Sequence, residues 1–421
     1  MNETLNDIEN QWLNWSNSTT PVSCIGDDDL ADRIKEDLSY FSSMGVKEYT
    51  LWQKWDEVHR KYPTKSVSTI FGTDDIFMID SDRERQIDNI ERNIWTATHP
   101  DDYLKLEPTL VVGESNQYMK NVYTDLRVFI HTMKHDSNIG KNINFVVKDK
   151  ISEKYLGVIT IGGDYLDLSA RDSYIGWNRK EKTNGMIKHT AVCSSISPTQ
   201  PFGFNYVGGK LLSLLCLSNE VRSIWKEKYG DLLVGMTTTS LYGNQKPGGL
   251  SQYDNLKYWK KMGFSAGKVT FRPTRSTQHE MRKWIQVNYP RKYFEWYVAT
   301  RSDGMVYKRD HVNRSYAFVY SKLKIPTNLR ETDHGRGIYF APLYKNSTDF
   351  LRGEIKESQL IMENDLSETS LVHLWKHKYA RQRINSLVKK NVVSTNNLFY
   401  KDLIYMSWEE AKEKYLGDVG R

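Results

Sequence analysis

The hydrophobic and polar positions change rhythm twice along the chain. Up to about residue 105 the rhythm is helical. DDDLADRIKEDLSYFSSMG, residues 27–45, opens on acidic residues suited to a helix N-terminus and stops at a glycine. KEYTLWQKWDEVHRKYP sets Leu51, Trp52 and Trp55 near helical spacing and ends at Pro63. Residues 106–275 carry shorter apolar runs with turn residues between them. TLVVGE predicts a strand and YTDLRVFIHTMK a helix. INFVVKDKISEKYLGVITIGGDYLDL predicts two strands joined by a turn at Lys148 to Lys154, with a bend at Gly162 and Gly163. GMIKHTAVCSSISP predicts a further strand and VGGKLLSLLCLSNEVRSIWKEKYG a helix. LLVGMTTTSLYG predicts a strand, SQYDNLKYWKKMGF a helix ended by Gly263, and KVTFRPT a last strand. That order predicts an α/β (α+β) fold, a mixed sheet with crossover helices. Residues 276–421 are less regular and rich in Tyr, Trp, Lys and Arg. Three regions are therefore expected: a mainly helical 1–105, an α/β core over 106–275 and a basic, aromatic-rich 276–421.

Composition adds limits. With 421 residues, 39% hydrophobic and 12% aromatic, the chain can bury ordinary cores. Its net charge of +7 suits a polyanionic partner. The charge is concentrated: no acidic residue occurs from Thr369 to Tyr400, and HLWKHKYARQRINSLVKK within that span is helical in pattern. Lys376, Lys378, Arg381, Arg383, Lys389 and Lys390 are its candidate nucleic-acid contacts, with Trp375 and Tyr379 able either to stack on bases or to pack on the domain. Cys24, Cys193 and Cys216 form no metal-ligand spacing and no disulfide framework, which points to a reducing compartment. The longest apolar run, LLSLLCL, is too short to span a bilayer. No membrane partner and no metal are expected, and the expected location is cytoplasmic.

The densest chemistry lies between residues 164 and 253. Asp164, Asp167 and Asp172 fall within nine residues of one another, with Arg171 and Trp177 beside them. Carboxylates this close act as acid and base, hold a cation, or pair with Arg171 to fix a loop. His189, just before TAVCSS on the predicted central strand, is a candidate general base. TTTSLYGNQKPGGLSQY offers Thr238, Ser240, Tyr242 and Asn244 at a strand end, where α/β sheets bind ligands. In ISPTQPFGFNYVGGKLLSLLCLSNEV, residues 196–221, three glycines precede an apolar run, and a glycine-rich helix start admits a phosphate or another backbone.

The element order and three local motifs resemble the GNAT-like acyltransferases. That resemblance implies acyl-CoA bound where a strand splays from its neighbour, with its pyrophosphate on the next helix N-terminus. The candidate cofactor residues are then Gln200, Gly203 and Asn205, or Gly203, Gly208 and Gly209. YWKKMGF is similar to that family's second helix ending. The position of its tyrosine acid is Trp259 here, with Tyr258 beside it. His189, Tyr242, Tyr258 and Asp172 are the candidate proton-moving groups. A second resemblance is carried by YLDLSARDSYIGWNRKEK, with Arg171, Asp172, Ile175, Gly176 and Trp177 at its centre, and by WKEKYGDLLVGMTTT and YDNLKYWKKMG. These are similar to the DruA family of the Druantia anti-phage systems over about residues 125–275. Related chains in large tailed phages make a phage gene the expected source, and the host's cytoplasm the location. Two functions stay open. One is a nucleic-acid-associated enzyme moving an acyl-type group to a DNA base or an amine. The other is a non-catalytic nucleic-acid-binding component of a phage defence or counter-defence system. A metal-dependent nuclease is a third.

Overall fold

A computed structural model describes residues 2–68, 75–130, 140–241, 251–265, 269–300, 311–332 and 336–417. The chain opens with helices α1 (Asn2–Ser18), α2 (Asp27–Ser43) and α3 (Val46–Lys61). A hairpin of β1 (Lys65–Ser68) and β2 (Asp75–Met78) leads to α4 (Ser81–Arg92). Then come β3 (Pro108–Val112), α5 (Gln117–Ile130), β4 (Asn142–Asp149), β5 (Tyr155–Gly163), α6 (Ser169–Ile175) and α7 (Arg179–Thr183). They are followed by β6 (Thr190–Pro198), α8 (Phe202–Tyr206), α9 (Gly208–Leu215), α10 (Asn219–Tyr229), β7 (Gly235–Ser240) and β8 (Lys260–Phe264). The rest comprises β9 (Val269–Thr270), α11 (Arg275–Asn288), α12 (Pro290–Tyr293), α13 (His311–Lys322), β10 (Glu331–Thr332), β11 (Gly337–Pro342), α14 (Ser347–Leu351), α15 (Glu368–Leu374), α16 (Arg381–Lys389) and α17 (Trp408–Tyr415).

The chain divides into two units, one of Met1–Gly45 with Lys268–His334, the other of Val46–Gly267 with Gly335–Arg421. The first unit joins an acid-rich start to a base-rich later segment. Asp37 accepts from the Thr274 amide at 2.8 Å, Asp27 from the Trp284 indole at 2.7 Å, and Glu9 pairs with Arg291 at 2.7 Å. The two-residue strands β9 and β10 pair antiparallel there.

The second unit holds a seven-stranded mixed sheet in the order β3-β4-β5-β6-β7-β11-β8. Alternation along β4 explains its two cores: Ile143, Phe145 and Val147 join α9 and α10 on one face, while Val146 joins α3, α5 and α17 on the other. β5 is buried along nearly its whole length, as a strand covered on both faces must be. A third core, with Ile175, Trp177, Val234, Phe340, Phe350 and Leu351, places α6 and α14 against the β7–β11 part of the sheet.

The mixed α/β class agrees with the sequence, but three elements differ. VGGKLLSLLCLSNEVRSIWKEKYG is not one helix but two, α9 and α10, parted by a turn at 216–218 where Ser218 caps α10. SQYDNLKYWKKMGF is not a helix. Residues 251–259 run as turns with positive φ at Asn255 (56°) and Tyr258 (77°), and Lys260–Phe264 is strand β8. Tyr253, Leu256 and Trp259 are spaced three apart, as on a helix, but each is buried by dipping into the sheet region from a loop. KVTFRPT contributes only Val269–Thr270, in a separate ladder, and the place between β7 and β8 belongs to β11.

Candidate functional site

Among the described residues the only parallel neighbours in the large sheet are β6 and β7, and they pair over three residues: Thr190 with Gly235, Ala191 with Met236, Val192 with Thr237. Beyond Val192 the two strands part. The chain itself fills the wedge. Thr238 Oγ1 donates to the Cys193 carbonyl at 2.8 Å and lies 3.3 Å from the Tyr253 hydroxyl. Gln252 Nε2 donates to the same hydroxyl at 3.0 Å and reaches the Ile196 carbonyl at 3.5 Å. Trp259 lies beneath, its indole donating to the Ser213 carbonyl of α9 at 3.0 Å. Lys210, in the first turn of α9, locks the 252–254 segment by donating to the carbonyls of Gln252 (3.1 Å) and Asp254 (2.6 Å). Burial pushes Lys210 down to about 8, against the opposing pull of Asp254.

The glycines at the head of α9 are close-packing positions. A Cβ on Gly209 would sit 2.2 Å from Gln252 Oε1, and one on Gly208 would sit 2.4 Å from the Phe202 ring. The backbone N–H groups nearby are already used: Gly203 donates to Thr199 O at 2.8 Å, Phe204 to Gln200 Oε1 at 2.9 Å and Asn205 to Pro201 O at 2.9 Å. Asn205 also clasps Ser394, donating to its carbonyl and accepting from its amide at 2.8 and 2.9 Å. An acyl-CoA in this wedge would need Gln252 and Tyr253 to leave it.

At the neighbouring strand ends lies a buried charge cluster. Arg171 is fully buried. Its Nη1 lies 2.8 Å from Asp164 Oδ1 as an ion pair off the hydrogen-bond direction, and its Nε and Nη2 donate to Asp172 Oδ1 at 2.9 and 2.7 Å. Asp172 also accepts from Lys182 Nζ at 2.6 Å. Asp164 accepts from Thr237 Oγ1 at 2.7 Å, which ties the end of β5 to β7. The Arg171 guanidinium lies 5.3 Å over Trp177, and that indole donates to the Leu351 carbonyl. Asp167 pairs with Lys182 at 3.1 Å, and its side chain is 65% exposed, so it is the member that meets solvent. Two cations and two buried carboxylates neutralise one another here, and the cluster fastens α6 and α7 to the sheet.

A family model described as Druantia protein DruA matches residues 103–353. The chain belongs to the DruA family. The Druantia protein DruA of Escherichia coli (strain UMEA 4076-1) is 22% identical over 284 residues, which cover 63% of this chain and 67% of that one. No solved structure matches the chain. The stretch matched to DruA contains all seven strands of the large sheet, the wedge and the Arg171 cluster, and it ends before α15 and α16.

Within this DruA-family chain the remaining sequence candidates separate. Asp164, Asp167, Arg171 and Asp172 come together, with Trp177 against them. Thr238 lies in the wedge and Ser240 ends β7 opposite Gly337. Tyr242 and Asn244 lie outside the described residues. His189 is not on the strand but in a turn before it. Its Nδ1 is 2.8 Å from the Leu232 carbonyl, its ring meets Phe350 edge-on at 5.0 Å, and burial lowers its pKa. Tyr258 has a left-handed backbone and packs against the core with Lys257 4.7 Å over its ring, so helical geometry does not relate it to Trp259.

The C-terminal basic set divides as well. Lys376 donates to the Leu104 carbonyl at 2.7 Å, and Arg383 donates to the Phe204 carbonyl at 3.1 Å while lying 4.5 Å over the Phe204 ring. Lys378, Arg381, Lys389 and Lys390 are exposed. Trp375 and Tyr379 are buried in the core, so they pack rather than present faces to bases. His373 and His377, 4.2 Å apart, share the outer face with Arg381, which lies 2.9 Å from His377 Nδ1.

Sequence reasoning missed Lys182, Thr237, Lys210 and Gln252. Lys210 had a signal, a lysine directly after a glycine pair at a helix start. Lys182 had none, since it stands in RKEK among exposed charges of the same kind. Among the described residues no group of three His, Cys, Asp or Glu side chains is placed to hold a metal, and no helix is long and apolar enough to cross a membrane.

Proposed function

We propose that this chain serves a Druantia-type anti-phage system as a nucleic-acid-binding component. The observation that carries this reading is the outer face of residues 375–390, which comprise the helical turns joining α15 to α16, α16 itself and the residue after it. Lys378, Arg381, Lys389 and Lys390 are exposed on it, within a stretch free of carboxylates from Thr369 to Tyr400. Such a face neutralises phosphates and releases their counterions, whatever the sequence bound. The DruA match stops short of it, so this affinity is an addition to the family's sheet. The test is fluorescence anisotropy with duplex DNA and with RNA at several salt concentrations. Lys378→Gln with Arg381→Gln lowers the slope of log affinity against log salt by about two. Binding equal to wild type at every salt would sink the reading.

One observation favours acyl transfer as a second reading: the early parting of β6 and β7, which in GNAT-like enzymes makes room for the cofactor arm. The Gln252–Tyr253 plug argues against it, because the space is already occupied by the chain and held by Lys210. Native mass measurement of the purified protein decides. A co-purified ligand of CoA mass would return Gly203, Gly208, Gly209, His189, Tyr242 and Tyr258 to consideration for binding and proton movement.

A further inference from the structure

Among the described residues β8 is the outer strand of the large sheet, paired on one side only, with β11. Such an edge normally carries lysines that discourage pairing with other chains. Lys260 and Lys261 fit that role, but the edge also carries aromatic rings that guarding does not need. Phe264 is 52% exposed, Tyr165 42% and Tyr174 37%. Two of the rings have a cation beside them. Lys261 Nζ lies 4.9 Å over Phe264, and Lys260 Nζ lies 5.6 Å over Tyr174 and 3.1 Å from its hydroxyl. Arg336 is tied through its backbone to Ser265, next to Phe264, at 2.8 and 3.0 Å. Register sets Lys260 opposite Phe340 and Lys261 opposite Tyr339, on opposite faces of the sheet. The ring–cation pairs therefore wrap round the edge instead of lying on one face.

We infer that the β8 edge, with Tyr165, Tyr174, Phe264, Lys260, Lys261 and Arg336, binds single-stranded nucleic acid. Bases freed from a duplex stack on exposed aromatic faces, and the interleaved cations follow the phosphates. A duplex keeps its base faces stacked and finds only the cations. This rests on the nucleic-acid reading above and sharpens it: the basic helix takes phosphates of any form, and the β8 edge selects unpaired strands. Rings held open at an edge with cations among them are better suited to bases than to a partner β-strand, whose recognition would run through the backbone groups of β8.

The test uses the full chain, a fluorescent oligo-dT of about 20 nucleotides and a duplex of equal length. Tyr165→Ala with Phe264→Ala weakens oligo-dT binding by about tenfold or more, while duplex affinity and melting temperature stay at wild-type values. Oligo-dT affinity unchanged in that variant overturns the inference and leaves the open edge of β8 to a protein strand. A wild-type chain that binds duplex but not oligo-dT overturns it too, with the reading of the basic helix intact. A wild-type chain that binds neither overturns both.

Discussion

Two regions of this molecule look alike as strings of charge and behave as opposites in the fold. Around Arg171 the charges are buried: Asp164 and Asp172 answer the guanidinium as close ion pairs, and Lys182 answers Asp172 in turn. Along residues 375–390 the charges are of one sign, and Lys378, Arg381, Lys389 and Lys390 meet no carboxylate in an ion pair among the described residues. A closed cluster has spent its electrostatic capacity on holding α6 and α7 in place. An open face keeps its capacity for something outside the chain. Charge density alone does not separate the two, but burial with partner count does.

The sharpest way to break this comparison is Arg171→Met. It leaves Asp164 without a cation in the interior and Asp172 with Lys182 alone, and lowers stability by about 3–5 kcal/mol. Arg381→Gln on the open face changes it by less than about 0.5 kcal/mol. Chemical denaturation of the two variants side by side checks this, and equal losses would erase the distinction. Next in size is Gly209→Ala. The new methyl meets Gln252 and costs about 1–3 kcal/mol, and combining it with Gln252→Ala recovers part of that loss. A purely additive double variant would mean that Gln252 does not fill the wedge.

Within the basic helix, Arg383→Gln removes a charge-assisted bond to Phe204 and costs about 1.5–3 kcal/mol, while moving the salt slope of binding less than Arg381→Gln does. Thermal melts with anisotropy on both variants separate anchor from contact. The smallest effect is in pH. His377 is held below the ordinary histidine range, by desolvation first and then by His373, Arg381 and Lys376. The folded chain therefore binds fewer protons there than the unfolded one. Its stability is highest above the ordinary histidine pKa and falls slightly as pH drops through the lowered value. Nucleic-acid affinity moves the other way, because a protonated His377 adds a cation to the open face. Titrating affinity from neutral to mildly acid pH shows the gain, and His377→Asn removes it.

Much of the fold was legible because its signals are local. Acidic starts, glycine stops and apolar spacing marked α2, α3, α5 and the α9–α10 stretch, the last read as one unbroken helix. Short apolar runs between turn residues marked β4, β5, β6 and β7. Residues 251–259 were misread because three-residue apolar spacing suits a helix equally well, and the left-handed Asn255 and Tyr258 carry no warning in their side chains. In the candidate site, the closeness of Asp164, Asp167, Arg171 and Asp172 was readable from nine residues of sequence, but Lys182 and Thr237 reach them only through folding.

What the sequence determined by itself was where charge and apolar character lie along the chain, since both are properties of single residues and near neighbours. It set the acid-free stretch, the helical and strand rhythms and the motif around Arg171. The tertiary structure decided which charges are spent. It paired β11 between β7 and β8 across nearly a hundred residues of chain, put Gln252 and Tyr253 into the wedge, and turned Lys376 and Arg383 inward while leaving Arg381 out. Those outcomes depend on which surfaces meet, and a residue's solvation, hence the use of its charge, follows from that meeting and not from its neighbours in sequence.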